Sequence, residues 1–77
     1  MAKMGPIKRR ELIRRLSKLG FVGPFHGKRH DFMVRNADER RATVPREEGK
    51  SREIGVELQK RILTEIGVPS EQWIKLA

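Results

Sequence analysis

Residues 27–34 read Gly27-Lys28-Arg29-His30-Asp31-Phe32-Met33-Val34 and join a glycine turn to an apolar run. The glycine favours a turn, and the aromatic and β-branched residues that follow favour a strand. A histidine at the mouth of a strand is held by the backbone while its imidazole stays near solvent. Two cations beside it attract a polyanion. This stretch therefore predicts a strand whose first residues face a negatively charged ligand.

A helix is predicted before this turn. Proline suits a first helical position, so Gly5-Pro6 is the expected start, and Gly20 is the expected left-handed stop. The apolar residues between them recur with a helical period and form one stripe: Leu12, Ile13, Leu16 and Leu19. Most of the charged residues fall on the other face.

Three strands are predicted, at residues 21–25, 31–35 and 40–44. Gly23-Pro24 interrupts the first strand, which we expect at a sheet edge because proline cannot donate to a ladder. Alternation places Phe32 and Val34 on one face of the second strand, where Phe32 is expected to pack in the core. Residues 36–39 are polar and predict a hairpin loop.

The last third of the chain predicts a charged surface loop at 46–52 and a helix from about Val56 to Ile66 that ends at Gly67. Its expected buried stripe is Leu58, Ile62 and Ile66, widened by Leu63. A final turn at about 70–76 follows, with Ser70 as N-cap and Trp73 packed back on the body.

These elements predict an α+β protein of order α-β-β-β-α. A three-stranded antiparallel sheet with both helices on one face lets all elements share one core and leaves the other sheet face to solvent or a partner. We expect one domain over residues 1–77. The chain has no cysteine and no apolar run near membrane-spanning length, so we expect a soluble, cytoplasmic protein.

The positive charge is concentrated at the start of the chain. The net charge is +8; residues 1–30 hold nine cations and one anion, whereas residues 31–77 hold nine of each. Such an asymmetry is typical of a phosphate-binding face, although a solvated basic helix has the same composition.

Two histidines, His26 and His30, lie four residues apart, but the glycines and proline around them argue against a helix and no third metal ligand is evident. RNA cleavage needs fewer catalytic groups than a metal site needs ligands, because the substrate carries its own nucleophile, the 2′-hydroxyl. A histidine can move the protons and nearby cations can stabilise the charged phosphorane. His30 with Lys28 and Arg29 meets this minimum without metal or cofactor, although a histidine at a strand start is often structural.

The chain resembles the HicA-type mRNA interferases, toxins of bacterial type II toxin–antitoxin pairs. The resemblance rests on four stretches in order: Leu19-Gly20-Phe21, Gly27-Lys28-Arg29-His30 with Phe32, Ala42-Thr43-Val44-Pro45, and Ile62-Leu63-Thr64-Glu65-Ile66-Gly67. It implies a double-stranded-RNA-binding-domain-like fold, His30 as the catalytic histidine, cleavage of mRNA, and neutralisation by a HicB-type antitoxin. Lys28 and Arg46-Glu47-Glu48 depart from the family pattern.

The leading hypothesis is thus an endoribonuclease in which His30 acts as base or acid and Lys28 and Arg29 hold the scissile phosphate. Further cations could extend the RNA track, namely Lys8, Arg14, Arg15 and Lys18. His26 is expected to cap a turn. The alternatives are a non-catalytic RNA-binding module of the same fold, which reads duplex shape, and a small DNA-binding regulator, for which no helix-turn-helix is apparent.

Overall fold

The computed structural model describes residues 3–46 and 53–77. These residues form two short strands, three longer strands and three helices. In chain order they are β1 Ile7–Lys8, α1 Arg9–Lys18, β2 Val22–Phe25, β3 Asp31–Arg35, β4 Arg40–Val44, β5 Glu53–Ile54, α2 Val56–Ile66 and α3 Ser70–Lys75. Strands β2, β3 and β4 form an antiparallel sheet with β3 in the centre, and β1 pairs with β5 in a separate ribbon. The protein is therefore a small α+β structure, as the sequence predicts.

One hydrophobic core joins the sheet to the helices. Leu12 and Leu16 of α1 and Ile62 of α2 are buried in the same cluster as Met33 and Val44 of the sheet. The helical period of these apolar residues explains why one face of each helix is buried. No helix in the described ranges has the length and apolar composition needed to cross a membrane.

The first helix begins later than the sequence predicts. The sequence predicts a start at Gly5-Pro6, but α1 begins at Arg9, because Ile7 and Lys8 pair with Ile54 and Glu53 in the ribbon. Pairing with a strand more than forty residues later in the sequence therefore places two residues of the predicted helix in a strand. The predicted stop is confirmed, since Gly20 has φ +93° directly after the last turn.

The outward and inward faces of β3 are the reverse of the prediction. Asp31 and Met33 point to the buried side, where they pair with Val44 and Ala42, whereas Phe32 and Val34 are only partly buried. Because side chains alternate along a strand, one buried position fixes all the others. Phe32 is therefore not a core residue but part of the outer sheet face.

The predicted range of α2 is confirmed, including the end at Gly67, which has φ +70°. The buried apolar stripe predicted for α2 is wrong at one position. Leu58 is 37% exposed, whereas its neighbour Gln59 is fully buried. The Gln59 amide donates to the carbonyls of Gly5 and Ile54 and accepts from the indole N–H of Trp73 at 2.9 Å, so every polar atom of this side chain is paired inside the core.

The C-terminal turn is a short helix, α3, and Trp73 is fully buried in it. The packing role predicted for Trp73 is confirmed. Ser70 is the first helical residue rather than the N-cap, a position that Pro69 occupies without a side-chain hydrogen bond. Most of the loop predicted at residues 46–52 lies outside the described residues; only Arg46 can be placed.

Candidate functional site

His30 lies at the end of the turn that leads into β3, and its side chain is exposed. It lines a groove of about 250 Å³ between β4 and α2. The other lining residues are Thr43, Leu58, Arg61, Ile62 and Glu65. The structure therefore places His30 as predicted, directly before a strand and with its imidazole near solvent.

A tight backbone approach shapes the turn before His30. A Cβ atom at Gly27 would overlap the carbonyl oxygen of His30, so this position needs glycine. The carbonyl of Gly27 accepts a hydrogen bond from the Arg46 guanidinium, which fixes the turn from the other side. Lys28 and Arg29 occupy the turn itself and are exposed next to His30.

One of the groove's lining residues is a carboxylate held by a strand edge. β4 is an edge strand, so its outward N–H groups need partners outside the sheet. Glu65 provides one: its Oε1 accepts from the Thr43 N–H at 2.8 Å, and its Oε2 accepts from the Thr43 hydroxyl at 3.2 Å. Arg61 lies one helical turn before Glu65 and brings a cation to the same groove as His30.

The sequence did not single out Arg61 or Glu65. Their spacing of four on the exposed side of α2 was the available signal, but the same spacing is common on solvated helices. Only the packing of α2 along the edge of β4 places these side chains beside the turn that carries His30.

The cations in and next to α1 that are predicted to bind RNA differ in how far they are exposed. Lys8, in β1, and Lys18, the last residue of α1, are both exposed but lie at opposite ends of the helix. Arg14 donates to both carboxylate oxygens of Glu11 and to the carbonyl of Leu76. Of these predicted RNA-binding cations, Lys8 and Lys18 are therefore more exposed than Arg14.

Arg15 is 8% exposed and is held between two partners. Its Nε donates to Glu11 at 2.8 Å, and its guanidinium lies 5.4 Å from the centre of the Trp73 ring. The hydrogen bond from Arg14 and, next to it, that from Arg15 lower the pKa of Glu11 to about 2. Arg15 therefore connects α1 to α3 and offers little surface to a ligand.

A second cluster surrounds Asp31, the residue after His30. The Asp31 carboxylate is buried and accepts from Arg9 at 2.6 Å, from Arg46 at 2.9 Å, and contacts His26 Nδ1 at 3.1 Å. The hydrogen bond from Arg46 lowers the pKa of Asp31, with further contributions from His26 and Arg9. These four residues line a cleft of about 260 Å³.

The local sequence does not predict this cluster. Arg9 and Arg46 are 22 and 15 residues from Asp31. No local pattern indicates that they meet, since the ends of α1, β2 and β4 come together only in the folded chain. The sequence predicts that His26 caps a backbone turn, whereas in the structure its Nδ1 contacts the Asp31 side chain.

The outer face of the sheet carries exposed aromatic and aliphatic residues. Val22 and Phe25 of β2 are 50% and 46% exposed. The rings of Phe25 and Phe32 lie 5.7 Å apart, and the guanidinium of Arg41 lies 4.4 Å from the centre of the Phe32 ring. An arginine over an aromatic ring on an open sheet is an arrangement on which nucleic-acid bases can stack.

No protein-family model matches this chain, and no curated protein matches it. Within residues 3–46 and 53–77, no three histidine, aspartate or glutamate side chains come together as a set of metal ligands.

Proposed function

We propose that this protein is an endoribonuclease of the HicA type, with a double-stranded-RNA-binding-domain-like fold, that cleaves mRNA in the cytoplasm. The observation that supports it best is the groove in which an exposed His30 stands beside Arg61 and next to the cations of its own turn. A proton-transfer group and phosphate-binding charges are thereby gathered at one open surface.

The proposed reaction uses the ribose of the substrate as nucleophile. The 2′-oxygen attacks the adjacent phosphorus and loses its proton to a base, while the bond to the 5′-oxygen breaks and that oxygen takes up a proton. The products are a 2′,3′-cyclic phosphate and a 5′-hydroxyl end. His30 carries out one of these two proton transfers.

The cations stabilise the charge that develops on the phosphorane. Lys28, Arg29 and Arg61 are exposed around His30 and require no rearrangement of the core to reach a phosphate. Glu65 has a different role, because both of its oxygens accept hydrogen bonds from Thr43. It holds α2 against β4 and so keeps Arg61 at the groove.

The outer sheet face provides a surface for the bases of the same strand. Phe25, Phe32 and Arg41 present stacking surfaces that tolerate any base. The proposed partner, implied by the resemblance, is a HicB-type antitoxin that covers His30. Its association would be steered by the net charge of +8 if the antitoxin is acidic.

The test is cleavage of a purified mRNA by wild-type protein and by the variants His30→Ala and His30→Asn, with EDTA present. We expect cleavage to 5′-hydroxyl ends by the wild type and a loss of about 10²- to 10⁴-fold in both variants. Gln72→Ala, an exposed change in α3, is the control for handling and folding.

Two results would contradict the proposal. If His30→Ala cleaves at the wild-type rate, His30 is not the catalytic residue. If the wild type binds the RNA but leaves it intact, the protein is the non-catalytic RNA-binding module that the sequence also allows.

A further inference from the structure

We propose that the cleft formed by Arg9, His26, Asp31 and Arg46 is a phosphate-binding site, separate from the groove at His30. Within residues 3–46 and 53–77, the two openings share no lining residue. The site extends the proposed function, because RNA is the expected source of the phosphate, but its existence can be tested with inorganic phosphate alone.

Asp31 acts as the organising group of this cleft. It is buried, and its two oxygens hold the Arg9 guanidinium, the Arg46 guanidinium and the imidazole of His26. Arg9 also donates to the carbonyl of Pro45 at 2.9 Å, and Arg46 donates to the carbonyl of Gly27. The two guanidinium groups are thus preorganised, so a ligand does not have to order them.

The cleft has more positive charge than its carboxylate neutralises. Among the residues that the structure describes, two guanidinium groups face one carboxylate, which leaves a surplus of one positive charge before His26 is counted. Each guanidinium uses its Nε–H and an Nη2–H in the contacts above, and a guanidinium carries more N–H donors than these. The remaining donors suit the oxygens of a phosphate, which arginine binds well.

His26 completes the site at its mouth. Its side chain is 90% exposed, yet its Nδ1 is directed at Asp31, so the ring orientation is defined and Nε2 points away from the carboxylate. In the imidazolium form both ring nitrogens donate, and Nε2–H is then available to a phosphate oxygen while Nδ1–H holds Asp31.

The test is a titration of the full chain with inorganic phosphate, followed by NMR of the histidine ring signals. We expect saturable shifts of the His26 ring signals, with small changes at His30. His26→Ala and His26→Gln should weaken phosphate binding by about tenfold or more. Both should fold, because the side chain is almost fully exposed. Lys75→Ala, an exposed cation in α3, should bind phosphate as the wild type does.

A second arm distinguishes the source of the phosphate. Two RNA oligonucleotides of the same sequence are compared, one with a 5′-phosphate and one with a 5′-hydroxyl. If His26→Ala reduces the affinity only for the first, the site binds a terminal phosphate; if it reduces both equally, the site binds the backbone. Either result supports the site.

The proposal is overturned if phosphate causes no saturable shift at His26, or if the His26 variants bind phosphate and both oligonucleotides like the wild type. These outcomes are separate from those for the proposed function. A protein that binds phosphate at His26 but never cleaves RNA disproves the nuclease and keeps the site. A protein that cleaves through His30 and ignores His26 does the reverse.

Discussion

Replacing Gln59 by leucine should destabilise the fold strongly, although leucine is a better helix former and more apolar. The Gln59 side chain is fully buried, and its amide makes three hydrogen bonds. Gln59→Leu removes all three. The indole N–H of Trp73 and the carbonyl of Ile54 then remain in the core without these partners, whereas the carbonyl of Gly5 is partly exposed and can bind water.

The expected magnitude follows from these two buried groups. Leaving a buried donor or acceptor unpaired costs about 1–3 kcal/mol, so two such groups cost about 2–6 kcal/mol. Burying leucine in place of an amide offsets part of this loss. We therefore expect the free energy of unfolding to fall by about 3 kcal/mol, a large share of the roughly 4–12 kcal/mol typical of a domain of this length.

The measurement is urea denaturation followed by the fluorescence of Trp73, the single tryptophan. Gln59→Leu should lower the midpoint with an unchanged slope. Gln72→Leu is the matched control, since this glutamine is exposed in α3, and it should change stability by less than about 0.5 kcal/mol.

A double-mutant cycle isolates the hydrogen bond between the two side chains. In a Trp73→Phe background, followed by circular dichroism, Gln59→Leu should cost about 1 kcal/mol less than in the wild type, because the indole donor is already gone. A loss below about 1 kcal/mol for Gln59→Leu alone would refute the reasoning, because the buried groups would then have found other partners.

Two further predictions concern acid stability and the turn at the candidate site. Because Arg14 and Arg15 lower the pKa of Glu11 to about 2, the Glu11 carboxylate stabilises the fold above about pH 4.5, and this contribution is lost as the pH falls towards 2. The partly exposed position of Glu11 reduces the contribution to about 1 kcal/mol. Thermal denaturation should therefore show that Glu11→Gln lowers Tm by about 4–8 °C at pH 6 and by much less at pH 2. An equal difference in Tm at both pH values would contradict the assignment. Gly27→Ala should displace the turn, because its Cβ overlaps the His30 carbonyl, and should reduce RNA cleavage about tenfold or more. Gly55→Ala, where a Cβ meets open space, is its control, and equal cleavage by the two variants would show that the turn does not position His30.

Local sequence features predicted most of the elements. The strands at 31–35 and 40–44 and the helix Val56–Ile66 have the predicted bounds, and the edge position of the first strand is confirmed. Gly20 and Gly67 mark helix ends because few other residues tolerate their positive φ. The errors at the start of α1 and at Ser70 concern single turns, where a partner strand or a proline changes the boundary.

The faces of the elements were harder to predict than their bounds. Both faces of β3 carry a large apolar side chain, Phe32 on one and Met33 on the other, so alternation alone could not tell which face is buried. In α2 the helical period placed Leu58 in the buried stripe, whereas the structure buries Gln59 instead. Gln59 is buried because partners from three other segments satisfy its amide, and such partners leave no trace in the local sequence.

The sequence by itself determined the α+β class, the glycine turn and the exposed His30, since each depends on residues close together in the chain. Tertiary structure alone decided that Arg61 and Glu65 stand beside His30 and that Arg9 and Arg46 meet at Asp31. The physical reason is that hydrogen bonds and charges act through space over a few ångströms. Only folding brings groups separated by 15 to 36 residues within that distance.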